Sequence, residues 1–423
     1  MRLILFDGPE EERAKFYPLS YCRPVWELRC GMTALGEKLI GKLGAQQVAY
    51  FVPPYMADAY AERVDGKVND PSGLAGDDVL LVHGSLKAAT LDVAPTGPSE
   101  VGMLGDLVAY VRVAQADLGK LDTGSIEAFL ASARQALPQV SCRAERFEYV
   151  WEVMLDSPHQ IIDDFKAAGR SGIEGVIEEP SAIRGNKNDV YVAPGCEVHP
   201  MVVIDATEGP VFLDEGVEVH PFTRIEGPAY VGPKTILLGT KLREGCSVGP
   251  VCRLGGEIEE SVIQGHSNKY HDGFLGHAYV GEWVNLGALT TNSDLKNDYT
   301  SVEVIQNGKK IDTGSNKVGA LIGDHTKTSI GTLLNTGAIV GSMGMIMATG
   351  QPLQKTIPAF AWLVNGVVTK GFGRKALYRT AATAMGRRKQ AWTPAIEAMW
   401  EAVYELTAPE RNEAIKRGRR MAS

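Results

Sequence analysis

A period of six residues constrains this chain more than any other feature. Residues 320–349 divide as ALIGDH TKTSIG TLLNTG AIVGSM GMIMAT, and the third positions are Ile322, Thr328, Leu334, Val340 and Ile346. The same spacing links Ile236, Leu242, Val248 and Leu254, then Val219, Ile225 and Val231, then Phe274, Val280 and Leu286. Six matches neither the 3.6 of a helix nor the 2 of a strand. It fits a solenoid in which every six residues form one short strand and a corner, with the aliphatic position pointing inward and small or amide residues turning the chain. Glycine supports this, since 25 of the 47 glycines fall within residues 185–350. GCEVHP (195–200) and GVEVHP (216–221) repeat almost literally, which places His199 and His220 at corners, and Cys246 and Cys252, six apart, read as stacked core residues. The pattern predicts a parallel β-helix from about 185 to 350, interrupted near 296–318 by a loop containing QNGKK.

The flanks follow other rules. Residues 1–180 alternate apolar runs (RLILF, QVAYFV, DVLLVHG, FEYVWEV) with helix-like stretches such as 33–43 and 125–137, the signature of an α/β domain with a largely parallel sheet. Beyond Lys370 the pattern turns helical: Thr393 can cap a helix that starts at Pro394, with Ile396, Met399, Trp400, Val403 and Leu406 on one face. This tail is basic, with 12 Lys/Arg against 5 Asp/Glu in residues 370–423 of a chain whose net charge is −8. Arg387, Arg388 and Lys389 read as a solvated surface, because no aromatic residues interleave with them; nucleic acid is not an expected partner. No apolar run approaches the ~20 residues of a membrane span, MRLILFDG is too short for a secretory signal, and six cysteines without metal or disulfide spacing read as reduced thiols. These features predict a cytoplasmic protein with no membrane partner.

Polar residues concentrate in GHSNKYHDGFLGHAYVGEWVNLGALTTNSDLKNDY (265–299), within repeats that should be core-facing. SNKYHDGFLGHAYVGEWVNLGA resembles the acetyltransferase β-helix of the bifunctional GlmU-type enzymes, which make UDP-N-acetylglucosamine. DTGSNKVGALIGDHTKTSIG and the order of parts resemble the GlmU-like sugar nucleotidyltransferase family. The resemblance implies three units: a nucleotidyltransferase-like α/β domain at 1–180, a left-handed β-helix acyltransferase-like domain at 185–356, and a helical extension at 357–423. It also implies acetyl-CoA as cosubstrate, a homotrimer, and His271 as general base. A histidine suits that task because its ordinary pKa of ~6.5 lets it take a proton near neutrality. Asn285 and Asn292 match positions that hydrogen-bond the sugar and orient the histidine. Lys296 matches a lysine reaching in from the next subunit, and Ala288 and Ser329 fall near the CoA groove. The family's phosphate ligands are displaced by four extra residues between Val248 and His271, leaving Lys241, Arg253 and Lys269 as replacements.

At the N-terminus, Asp7, Arg23 and Arg29 are the candidate nucleotide-binding residues. RLILFDG is not followed by the expected glycine-rich loop, and DVLLVHGS puts Gly84 and Ser85 where a Mg²⁺ ligand is expected, so Mg²⁺ enters only if Asp7 or Asp106 substitutes. A zinc reading of His266 and His271, five apart, lacks a third histidine at a suitable distance. The expected function is acyl transfer from acetyl-CoA to an amino-sugar or sugar phosphate, coupled or not to nucleotidyl transfer from an NTP to a sugar 1-phosphate. The alternatives are a nucleotidyltransferase whose β-helix only assembles the trimer, and a non-catalytic sugar-nucleotide-binding scaffold.

Overall fold

The computed structural model describes residues 1–422, and the side chains of residues 1–420. In the head, a seven-stranded sheet runs in the order Lys67–Val68, Val48–Phe51, Arg2–Phe6, Val79–His83, Leu107–Val113, Glu100–Leu104, Gln139–Ser141. The first four strands are parallel, and the hairpin formed by Glu100–Leu104 and Leu107–Val113 adds antiparallel pairs. Arg2–Phe6 and Val79–His83 are buried almost throughout, as a strand covered on both faces requires. FEYVWEV is a correction: none of it forms a strand, Tyr149 is extended only as the N-cap, and Val150 opens a helix to Ala168. Its apolar residues Val150, Val153, Met154, Ile161 and Phe165 recur at three- and four-residue spacing, and Glu152 accepts from the N–H groups of Glu148 and Tyr149 at the helix start. Phe165 reaches Phe212, its ring 6.3 Å away, so this helix lies against the second unit.

That second unit is a parallel β-helix. One inward column runs Val192, Leu213, Val231, Val248, Ile263, Val280, Ile322, Val340, Ile357, each residue paired in register with the next. All nine are buried, so successive coils stack aliphatic on aliphatic. Cys246 and Cys252 are fully buried, and His199 and His220 stack at 5.1 Å beside Glu218. Two positions of the six-residue reading slip by one: Leu237 rather than Ile236, and Leu275 rather than Phe274, face the core. The physical reason is an irregularity between Leu238 and Lys241 and the turn at Gly273; a one-residue slip in a strand moves a side chain to the opposite face.

Head, β-helix and tail are packed together. The expected loop at 296–318 contains a hairpin, Glu303–Gln306 with Lys309–Asp312, and Gln306 Nε2 donates to the carbonyls of Ala14 and Tyr17 in the head. The tail forms helices Arg374–Gly386, Pro394–Leu406 and Ala408–Ala422. Thr393 Oγ1 accepts from Ile396 N–H as an N-cap, while Met399, Trp400 and Val403 are buried in a core shared with Trp26, Met56 and Tyr60 of the head. Leu406, expected on the same face, is exposed. No helix among the described residues is long and apolar enough to cross a membrane.

Candidate active site

His271 lies just past the strand Asn268–Lys269, on a cleft of about 480 Å³ that also takes in Arg253, Asn285, Ala288, Arg387 and Arg388. Its ring is exposed and sits edge-on to Tyr270 at 5.9 Å. What holds this turn is Lys269. In the inward column Val198, Val219, Leu237, Leu254, the next register position is occupied by Lys269, an ammonium where every coil below has an aliphatic group. It is 3% exposed, and its Nζ donates to the carbonyls of Gly255 (2.9 Å), His271 (3.2 Å) and Gly273 (2.7 Å). Those three acceptors compensate the burial that pulls its pKa down to about 8. Lys269 therefore fixes the backbone that carries His271, and its ammonium is not free to meet a phosphate.

The other expected site residues divide between cleft and scaffold. Asn285 Oδ1 accepts from Asn268 Nδ2 at 3.2 Å, in a row of outward residues Asn268, Asn285 and Lys327 on successive coils. Ala288 shares the cleft with His271. Asn292 is buried and bonds both the N–H and the carbonyl of Gly276, so it joins two coils away from the cleft. Lys296 donates to Thr300 Oγ1 and the Ser301 carbonyl in the loop before the hairpin, and Ser329 Oγ accepts from Ala348 N–H. Lys241 pairs at 3.6 Å with Glu257, and Arg253 donates to the carbonyls of Lys234 and Cys252.

In the head, Asp7 follows the strand Arg2–Phe6 and accepts from Val25 N–H; burial raises its pKa to about 7, against the opposing pull of Arg13. Arg23 is fully buried and faces the β-helix, its guanidinium bound to Asp324 and Glu282. Arg29 donates to the Met32 carbonyl and lies over the Tyr230 ring at 5.3 Å. Arg23 and Arg29 thus join head to solenoid, and only Asp7 remains at the carboxyl end of the central strands. A single carboxyl group whose two oxygens both face Val25 N–H (3.2 and 3.3 Å) does not suit Mg²⁺, which prefers several carboxylate or water oxygens.

Metal ligation has one geometric candidate among the described residues: Glu259, Glu260 and His277, with ligand atoms within 4.8 Å of one another. Both His277 nitrogens already face carboxylates, Asp294 at 2.8 Å and Glu260 at 3.3 Å, and Glu259 takes Lys317 at 3.1 Å. Burial opposes a charged imidazole, but these hydrogen bonds outweigh it and lift the pKa to about 9. The group is a charge network built around an imidazolium. His266 and His271 do not pair: the His266 ring stacks on Trp283 at 4.4 Å.

Sequence reasoning missed the wall opposite His271. Arg379, Arg387 and Arg388 lie on the helix Arg374–Gly386 and in the residues just after it; with Lys327 they border an adjoining cleft of about 580 Å³, and Arg388 donates to Asn268 Oδ1 at 3.2 Å. The expected solvated surface is therefore corrected for Arg388, which is half-buried. The RRK run was the available signal, but only tertiary packing shows which surface it faces.

Comparison with known proteins places these parts. Residues 3–171 match the model of the sugar nucleotidyl transferase family. A bifunctional sugar-1-phosphate nucleotidylyltransferase/acetyltransferase of Sulfurisphaera tokodaii is 36% identical over 121 residues, 28% of either chain. The bifunctional protein GlmU of Synechococcus elongatus is 25% identical over 191 residues (44% of this chain, 36% of the relative), and one from Prochlorococcus marinus is 27% identical over 210 (49% and 40%). The chain thus spans well under two thirds of these relatives. A crystal structure of UDP-N-acetylglucosamine acyltransferase aligns with 58% of this chain and 94% of its own, at 14% identity and a TM-score of 0.23. The head is thus similar to the sugar nucleotidyl transferase family over residues 3–171, and parts of the chain are similar to relatives named for nucleotidyl and acetyl transfer.

Proposed function

We propose that the β-helix transfers an acyl group from acetyl-CoA to a phosphorylated sugar, with His271 as general base. The observation that carries this reading is the placement of His271: an exposed imidazole on a backbone clamped by Lys269, in one cleft with Asn285, Ala288 and three arginines. His271 takes a proton from the attacking amine or hydroxyl as the new bond forms to the thioester carbon. The carbonyl oxygen becomes an oxyanion held by a main-chain N–H of the groove. Its collapse breaks the C–S bond, and the imidazolium returns the proton to the departing CoA thiolate. Asn285 orients the sugar, and Ala288 leaves room for pantetheine along the coil. Asn292 and Ser329 serve the site by holding the coils behind it. Lys296 reaches the site of a neighbouring copy in a homotrimer only if its ammonium leaves Thr300 Oγ1 and the Ser301 carbonyl.

The head carries the second reading, nucleotidyl transfer from an NTP to a sugar 1-phosphate, because the family match covers residues 3–171. Against it stand the engagement of Arg23 and Arg29 and the poor fit of Asp7 to Mg²⁺. A head that contributes assembly and ligand binding without that chemistry agrees better with these side chains. A panel of hexose and hexosamine 1-phosphates with NTPs and acetyl-CoA, read for both CoA thiol and pyrophosphate, tests both readings. Thiol release abolished by His271→Ala is expected; release unchanged in that variant, or pyrophosphate alone, overturns the acyltransferase reading.

A further inference from the structure

The cleft bordered by Arg379, Arg387 and Arg388 continues in two directions. Toward His271 it shares Asn268, Asn285, Arg387 and Arg388 with the catalytic cleft; in the other direction it shares His266 and Trp283 with a chamber of about 510 Å³ between head, β-helix and tail. Charge changes sharply along this groove. Its middle and catalytic stretches hold Arg253, Lys327, Arg379, Arg387 and Arg388, and no carboxylate borders either stretch. Lys327 Nζ donates to the carbonyls of Trp283 (2.6 Å) and His325 (3.0 Å), and Arg253 to those of Lys234 and Cys252, whereas Arg388 Nε is buried without a partner. Burial and the charges of Arg253 and Arg387 push the Arg388 pKa down, which shows how close these guanidinium groups lie. Three guanidinium groups, those of Arg379, Arg387 and Arg388, gathered in a cavity without a bordering carboxylate imply an anion with more than one charge.

The far chamber has a different character. His266, Trp283 and His325 occupy equivalent corners of successive coils, all with left-handed backbone (φ 53°, 61° and 59°), and their rings stack at 4.4 and 6.1 Å. Left-handed corners recur along the solenoid, at Met201, Phe222, Val251, Leu289 and Met343 among others, so this conformation belongs to the coil turn, and what distinguishes these three corners is that they carry stacked rings. His325 is 6% exposed, and its Nδ1 and that of His266 have no hydrogen-bond partner. Glu62 and Glu282 face the same chamber and can accept from hydroxyls. Flat rings with unused polar nitrogens and carboxylates suit an aromatic base with its ribose.

We infer that the groove binds a nucleoside diphosphate sugar as acyl acceptor: the nucleoside against His266, Trp283 and His325, the diphosphate on Arg379, Arg387 and Arg388, and the sugar at His271. This rests on the proposed acyl transfer at His271 and specifies its substrate class. A hexosamine monophosphate would leave the far chamber and most of the cations without contacts.

Binding by the full chain tests this without relying on catalysis. Calorimetry with UDP, ADP and GDP, with glucosamine 1-phosphate and with CoA is compared between the wild type and Arg387→Ala/Arg388→Ala. At least one nucleoside diphosphate should quench tryptophan emission, lose the quench in Trp283→Phe, and bind about tenfold or more weakly in the double variant. Arg387→Lys/Arg388→Lys should recover part of that loss, and an unchanged melting temperature separates it from misfolding. Nucleotide binding unchanged in the double alanine variant would assign the nucleotide to the head and overturn the inference. Glucosamine 1-phosphate binding as tightly as the nucleotide, or loss of CoA affinity alone, would overturn it too. Loss of thiol release with every acceptor, while arginine-dependent nucleotide binding persists, would defeat the acyltransferase reading and leave the binding site standing.

Discussion

Arg23 and Asp324, 301 residues apart in sequence, form a two-pronged contact at 2.5 and 3.1 Å in which both side chains are essentially without solvent exposure. Glu282 takes the remaining Nη2 direction at 3.0 Å, and Asp324 also accepts from Glu282 N–H at 2.7 Å. Two carboxylates and one guanidinium thus join the loop after the first strand to two coils of the solenoid. Arg23 and Arg63 hold the Glu282 carboxyl down at about 2 despite its burial.

Asp324→Ala should cost roughly 3–5 kcal/mol, because it leaves a buried guanidinium with half of its compensation. Denaturant unfolding of the full chain provides the measurement. A loss below about 1 kcal/mol would show that the head and β-helix are not coupled through this pair.

His277 predicts how stability changes with pH. Its pKa rises from 6.5 to about 9 on folding, so its contribution is fully present below about pH 6.5 and is lost as pH rises through 9. The amount is on the order of 3 kcal/mol. Unfolding free energies at pH 6, 7.5 and 9.5 should fall along that series in the wild type and flatten in His277→Gln. Equal slopes in the two proteins would contradict the network.

Asp7 predicts the opposite kind of variant. Its folded pKa of about 7 exceeds the ordinary 3.8, so the folded state holds a proton between those values and loses stability as pH rises across them. Asp7→Asn should therefore stabilise the protein at pH 8, by roughly 1–4 kcal/mol. A destabilised Asn variant at pH 8 would mean that the carboxylate has a compensating partner.

The corners of the solenoid give a matched pair. At Gly249 a Cβ would lie 2.0 Å from the Gln264 carbonyl oxygen of the next coil, whereas at Gly331 (φ +70°) no atom comes within 4 Å. Gly249→Ala should cost about 3 kcal/mol or more, while Gly331→Asn, which tolerates left-handed backbone, should stay within about 0.5 kcal/mol. Thermal melting of the two variants distinguishes a packed coil corner from an open one.

The β-helix was legible in sequence because its physics is local: a core column repeats at fixed spacing, and Ile322, Leu334, Val340 and Ile346 are all buried. The slips at Ile236 and Phe274 were not legible, since a five-residue step between inward positions leaves the composition unchanged. His271, Asn285 and Ala288 emerged from a contiguous motif and share one cleft. Lys269 stood in that motif as a candidate phosphate ligand; only coil register shows that it points into the core. Arg387 and Arg388 belong to the groove because the tail folds back over the solenoid, a long-range contact with no counterpart in the local pattern.

The loop at residues 8–28 finds its polar partners late in the chain. Its carbonyls at Ala14, Tyr17 and Pro18 accept from Gln306 and Ser342, and Arg23 meets Asp324. On a ribosome adding roughly 5–20 residues per second, this loop waits about 15–60 s after its own synthesis before Ser342 is made. For that interval the nascent head carries an uncompensated arginine and open carbonyls at the surface destined for the solenoid. The order of synthesis thus makes the seam between head and solenoid one of the last polar surfaces of the chain to be satisfied.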